Sequence, residues 1–145
     1  MAATIIQLAD AIVAELNSTT FSLAFVAVRS YQPIYTLADT RTLRVVVVPR
    51  SVTYEFETRQ TMRASYAIDI GLMVRPGTLD NASIDAHMQL AEEIVHHFRG
   101  KRVPLLSMRC LQAQHNPIYA TEHLDEYRQY TSLVTLTYRH DEVFA

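Results

Sequence analysis

Between Val52 and Leu72 the chain reads Val52-Thr53-Tyr54-Glu55-Phe56-Glu57-Thr58-Arg59-Gln60-Thr61-Met62-Arg63-Ala64-Ser65-Tyr66-Ala67-Ile68-Asp69-Ile70-Gly71-Leu72. In its first part Val52, Tyr54 and Phe56 alternate with Thr53, Glu55 and Glu57, giving one apolar and one wet face. In its last part Tyr66, Ile68, Ile70 and Leu72 alternate with Ala67, Asp69, Gly71 and Met73. Successive side chains of a strand point to opposite faces, so both runs predict strands that turn one face to a core. The polar residues Thr58 to Arg63 between them predict the loop of an antiparallel hairpin.

Towards the N-terminus, Leu43 to Val48 is a β-branched run closed by Pro49. It predicts a separate strand, because proline cannot donate to a ladder. Phe21 to Arg29 alternates as well, with Phe21, Leu23 and Phe25 on one side and Ala24, Val26 and Val28 on the other. Both sides are apolar, which predicts a strand that is central or covered twice. Tyr31-Gln32-Pro33 ends it. Ahead of it Ile5, Leu8, Ile12 and Leu16 recur at helical spacing, predicting a helix over Ala3 to Leu16 with its stop at Asn17-Ser18.

Towards the C-terminus, Pro76-Gly77 breaks the chain and a second helix is predicted from about Ser83 to Arg99, with Asp80, Asn81 and Ser83 as candidate caps. Its apolar stripe is Ile84, Met88, Ala91, Val95 and Phe98, widened by Ile94, and Gly100 is its stop, with Lys101 and Arg102 suiting the helix dipole. Val103 to Leu111 predicts a strand, His115 to Glu126 a loop containing Pro117, and Tyr130 to Tyr138 a closing strand. The predicted order is α-β-β-β-β-α-β-β. That is an α+β fold: a single sheet, largely antiparallel or mixed, with two main helices packed on one face. No repeat or linker divides residues 1–145, so one domain is predicted.

Composition excludes several classes. The chain has 145 residues, 49% of them apolar, and a net charge of -2, enough for a real core and unlike a disordered tail. Its one cysteine, Cys110, rules out a disulfide-stapled scaffold. Apolar stretches fall far short of the roughly 20 residues that span a bilayer, and Asp10 and Glu15 interrupt the N-terminal segment where a signal peptide would be apolar. A compact soluble domain with no membrane association is expected.

Catalytic chemistry is hard to find. Glu92-Glu93-Ile94-Val95-His96-His97 lacks the two histidines four apart of a zinc hydrolase helix, and predicts two exposed acid–histidine pairs, Glu92–His96 and Glu93–His97. His115 and His123, with Glu122, Asp125 and Glu126 nearby, supply metal-binding residue types without a spacing that fixes a geometry. Cys110 lies in an apolar run and is expected to be an inert packing residue. Three glycines cannot supply a phosphate-cradling loop, and Gly71, Gly77 and Gly100 all have structural places. The expectation is a non-enzyme with no catalytic, cofactor or metal site. A small metal-dependent enzyme using His115 and His123 is the distant alternative. A nucleic-acid binder is disfavoured by a pI near 6.3 and by the lack of a basic stripe with interleaved aromatics.

Charge is unevenly placed. Residues 1–40 carry -2, residues 41–79 carry +3 and residues 80–145 carry -3. A basic middle and an acidic end suit head-to-tail contact between identical subunits, in which one patch meets a different one. Arg59 and Arg63, in the predicted hairpin loop, are the candidate subunit interface.

In order and spacing, several segments resemble the tail terminator and head–tail joining proteins of tailed bacteriophages. They are Phe25-Val26-Ala27-Val28-Arg29-Ser30-Tyr31-Gln32-Pro33, Leu43-Arg44-Val45-Val46-Val47-Val48-Pro49, Glu57-Thr58-Arg59, Tyr66-Ala67-Ile68-Asp69-Ile70-Gly71 and the helix Ile84 to Ile94. The resemblance covers about residues 5–100, and the strand Thr131 to Arg139 also fits. It implies a structural virion protein at the head–tail junction, assembled in the host cytoplasm. Such a protein forms a ring, commonly a homohexamer, that caps the head-proximal end of the tail tube and presents a surface to the neck or head-completion protein. Genomic DNA passes through the lumen without sequence readout. Another neck or tail-tube subunit, a stopper or connector, is the near alternative. The family carries no catalytic residues, and no cofactor is implied.

Overall fold

The computed structural model describes residues 3–31, 43–74, 81–99, 102–103, 108–116 and 130–143. In chain order these form α1 (Thr4–Ser18), β1 (Ala27–Arg29), β2 (Arg44–Phe56), β3 (Thr61–Val74), α2 (Asn81–Phe98), β4 (Arg102–Val103), β5 (Met108–His115) and β6 (Tyr130–Val143). The strands make one sheet in the order β1-β2-β3-β6-β5-β4. Every pairing is antiparallel except β1 with β2, so the fold is α+β with a mixed sheet.

β3 is the spine. It pairs along its length with β2 on one side and β6 on the other, and Ala64, Tyr66, Ile68, Ile70 and Leu72 are buried on one face. Val45 and Val47 of β2 and Val134, Leu136 and Tyr138 of β6 share that face. Both helices lie on it, α1 through Leu8, Ala9, Ile12 and Leu16, α2 through Leu90, Ala91, Ile94 and Phe98, in one continuous apolar cluster. Each buried aliphatic side chain there stabilises the fold by about 1.5–3 kcal/mol relative to an exposed one. The stripe of α2 is rotated from the predicted one: Leu90 and Ile94 are fully buried, whereas Ile84, Met88 and Val95 are only half-buried.

Leu43–Val48 and Val52–Phe56 join into a single strand, β2, across Pro49. The reason lies on the β1 side. Val47 accepts there from the Ser30 N–H at 3.0 Å, after which β1 has ended. Pro49, two residues on, turns its missing N–H to that same open side, so no ladder bond is lost. The register shifts between Pro49 and Ser51, leaving Arg50 as an extra residue.

Phe21–Arg29 departs from prediction in the other direction. Only Ala27–Arg29 is strand, and it is an edge strand, with Val26 and Val28 exposed. The alternation is real, since Phe21, Leu23 and Phe25 pack against the core, and side chains hold the backbone at Ser22 and Ala27. Asn17 accepts from the Ala27 N–H at 2.8 Å and donates to the Ala27 carbonyl at 3.1 Å. Glu93 accepts from the Ser22 N–H at 3.0 Å.

The predicted strand Val103–Leu111 is split and extended. Val103 ends β4, and β5 runs on to His115, which is therefore in the sheet and not in a loop. A bulge between Cys110 and Gln112 makes Leu111 the extra residue, half exposed. It switches the inward positions from Cys110 to Ala113 and His115, opposite Leu136 and Val134.

Candidate functional site

The strands β2 and β3 close through a turn built by threonines. Thr58 Oγ1 accepts from the N–H groups of Gln60 and Thr61 at 3.1 and 3.0 Å, and the Thr61 carbonyl accepts from the N–H groups of Glu57 and Thr58. A hydroxyl standing in for backbone lets the turn close without glycine. Strand pairing resumes at Thr61, so Met62 and Arg63 belong to β3 and not to the predicted loop.

The structure therefore separates the two candidate arginines. Arg63 of β3 lies 2.6 Å from Glu57, just past β2, and 3.2 Å from Asp141 of β6. The hydrogen bond to Asp141, with the charges of Glu57 and Asp141, raises its guanidinium above its ordinary range. It is engaged within its own chain. Arg59, at the tip, is exposed and makes no ion pair among the described residues.

Residues that the sequence reading did not single out lie beside it. Tyr54 and Phe56 are on the same face of the sheet as the core, yet they are 52% and 73% exposed. Opposite Phe56 stands Met62, half-buried. The signal was present in the sequence, since the alternation from Val52 runs unbroken to the loop. Helices of ordinary length do not cover a hairpin that long.

On α2 the predicted histidine pairs divide. His96 and Glu92 form the exposed pair at 3.8 Å. The pair Glu93–His97 is not formed: His97 Nε2 lies 2.8 Å from Glu15 of α1, and Glu93 holds the Ser22 backbone instead. Phe21 and Phe98 set ring edges against His97, so this histidine ties the two helices together. The exposed side of α2 borders a hollow of about 540 Å³ lined by Asp85, Met88, Gln89, Glu92, Glu93 and His96. Glu93 Oε2 is closed off from solvent, without a hydrogen-bond partner among the described residues.

Other polar groups lie in the sheet. His115 hydrogen-bonds Ser132, which is fully buried, and burial lowers the imidazole below its usual range. The buried Ser132 hydroxyl thus has a hydrogen-bond partner. Burial pushes the Cys110 thiol up, away from the thiolate that a nucleophile needs. Among the described residues no group of three histidine, cysteine or acidic side chains is placed to hold a metal. His123, Glu122, Asp125 and Glu126 lie outside the described residues. On the sheet face away from the helices Thr135 donates to Asp69 at 2.8 Å, with Arg50 at 3.6 Å. No described helix is long and apolar enough to cross a membrane.

The described residues thus present an arm with exposed Tyr54 and Phe56 and with Arg59 at its tip, and apart from it a hollow with Asp85, Glu92 and Glu93 among its lining residues. No protein-family model and no curated protein matches the chain. Among solved structures its fold is similar to a chain of one described as "Virion of native gene transfer agent (GTA) particle". The TM-score is 0.51 and the sequence identity 16%, over 99% of this chain and 100% of that one.

Proposed function

We propose that the chain is a structural subunit of a phage-like virion, and within it the tail terminator. Copies form a ring, a hexamer, that caps the head-proximal end of the tail tube and joins it to the neck, while DNA passes through unread. The observation that carries this reading is the end-to-end likeness of fold to a chain of a virion particle. The exposed arm and the segregated charge support it, since a heterologous contact closes into a ring when its rotation allows. The chain works by shape and contact, with no chemical step, and its place is the head–tail junction after assembly in the host cytoplasm.

Mass in solution, negative-stain imaging and tube growth in the presence of tail tube protein test this together. Closed rings that stop tube growth at one end are the expected result. Rings that bind the neck protein but leave tube growth unchanged move the subunit to the stopper or connector. A monomer that binds neither overturns the reading.

A further inference from the structure

We propose that the sheet edge at β4 and β5 is a binding site for phosphate groups, formed by Arg99, Arg109 and Arg139. Arg109 of β5 stands directly opposite Arg139 of β6, and both are exposed. Like charges directly opposite on neighbouring strands destabilise a sheet. On the other side of Arg109 the backbone pairing sets Arg102 of β4 opposite it. Three neighbouring strands thus carry arginine at one register position. Beyond Arg139 the row continues through Ser65 and Thr53, which bring hydroxyls and no carboxylate. Asp141, two residues past Arg139 on the same face of β6, is held by Arg63 at 3.2 Å. Among the described residues none of Arg99, Arg109 and Arg139 makes an ion pair, so the repulsion is left for an outside anion to offset.

A second observation points to the same place. Arg99, just past α2, and Arg109 line one hollow of about 240 Å³, together with Leu111, the extra residue of the bulge, and Gln112. β4 pairs with β5 only through Arg102 and Val103, so the hollow lies at the edge of the described sheet. A carboxylate has its oxygens in one plane and saturates a single guanidinium fork, whereas a phosphate presents oxygens to several. Arginine, serine, threonine and glutamine side chains are the usual contacts to phosphate. From β4 to β6 the row spans about 10 Å, which suits successive phosphates of a nucleic-acid backbone better than one free anion. Such contacts carry no sequence information. The net charge of -2 keeps the contact local and sensitive to salt. This inference goes beyond the virion reading and does not rest on it, since it needs no second copy of the chain.

The test uses the full chain and fluorescence anisotropy with labelled DNA duplexes of unrelated sequence, across a salt series. Equal binding to the duplexes is expected, with log Kd rising against log salt at a slope of about 2 to 3. Arg109→Gln and Arg139→Gln should each lower that slope by about 0.9, and Arg59→Gln, outside the row, should leave it unchanged. Inorganic phosphate, against sodium chloride at equal ionic strength, should raise the melting temperature of the wild type and not that of the double variant. The single variants carry the test if the double one does not fold. Phosphate protection with duplex binding supports the site and assigns it a backbone; protection without duplex binding supports it with a free anion as the source. Duplex binding and phosphate protection that persist in the variants overturn the site. Tighter binding of polyglutamate than of duplex overturns the phosphate chemistry in favour of an acidic peptide. Absence of any binding overturns the site and leaves the virion reading, which rings and tube growth decide, untouched.

Discussion

At the base of the β2–β3 hairpin Val45, Val47, Ile68, Ile70 and Leu72 lie under the helices and are buried. At its tip Tyr54 and Phe56, on the same face, are mostly exposed. The difference is one of length. With 15 and 18 residues the helices reach about 23 and 27 Å, whereas the 14 residues of β3 extend about 46 Å. The strands outrun the layer that covers them, so one alternation provides a core at one end and an exposed apolar surface at the other.

Substitutions sharpen that contrast. Ile70→Ala, at the base, should cost about 2–5 kcal/mol by urea unfolding, because Ile70 is fully buried in the core cluster and its surroundings relax only partly into the space. A loss below about 1 kcal/mol would mean that the base is as loosely covered as the tip. A smaller effect, dependent on pH, is expected at the inward end of β5. His115 is held neutral by burial, so the unfolded chain takes up a proton that the folded one does not. Its contribution is present above about pH 6.5 and is lost as pH falls through that value towards the lowered folded pKa. His115→Gln should flatten the fall in stability on acidification, and an unchanged slope would place the titration elsewhere. The smallest effect on stability belongs to the tip: Phe56→Ser should stay within about 0.5 kcal/mol while weakening self-association. Equal losses for Ile70→Ala and Phe56→Ser would erase the distinction.

Legibility in the sequence followed the range of the interaction. The periods of α1, of β3 and of β6 are local and were readable, as was the hairpin. Pro49 looked like a strand end because its tolerance depends on β1 having stopped at Arg29, a fact about a neighbour 20 positions away. Glu93 and His97 looked like a helical pair because spacing along α2 cannot reveal that Ser22 and Glu15 lie closer. Arg59 and Arg63 looked alike, and only pairing in the sheet brought Glu57 and Asp141 to Arg63.

By itself the sequence determined the alternation, the helical stripes and the fold class, because side-chain period follows from backbone geometry at each residue. It also determined the uneven charge. Only the tertiary structure decided which part of the alternating face is covered, which arginine is engaged and which side of α2 remains open. Those depend on where helices end over a sheet and which distant residues stand opposite, and no local spacing encodes either.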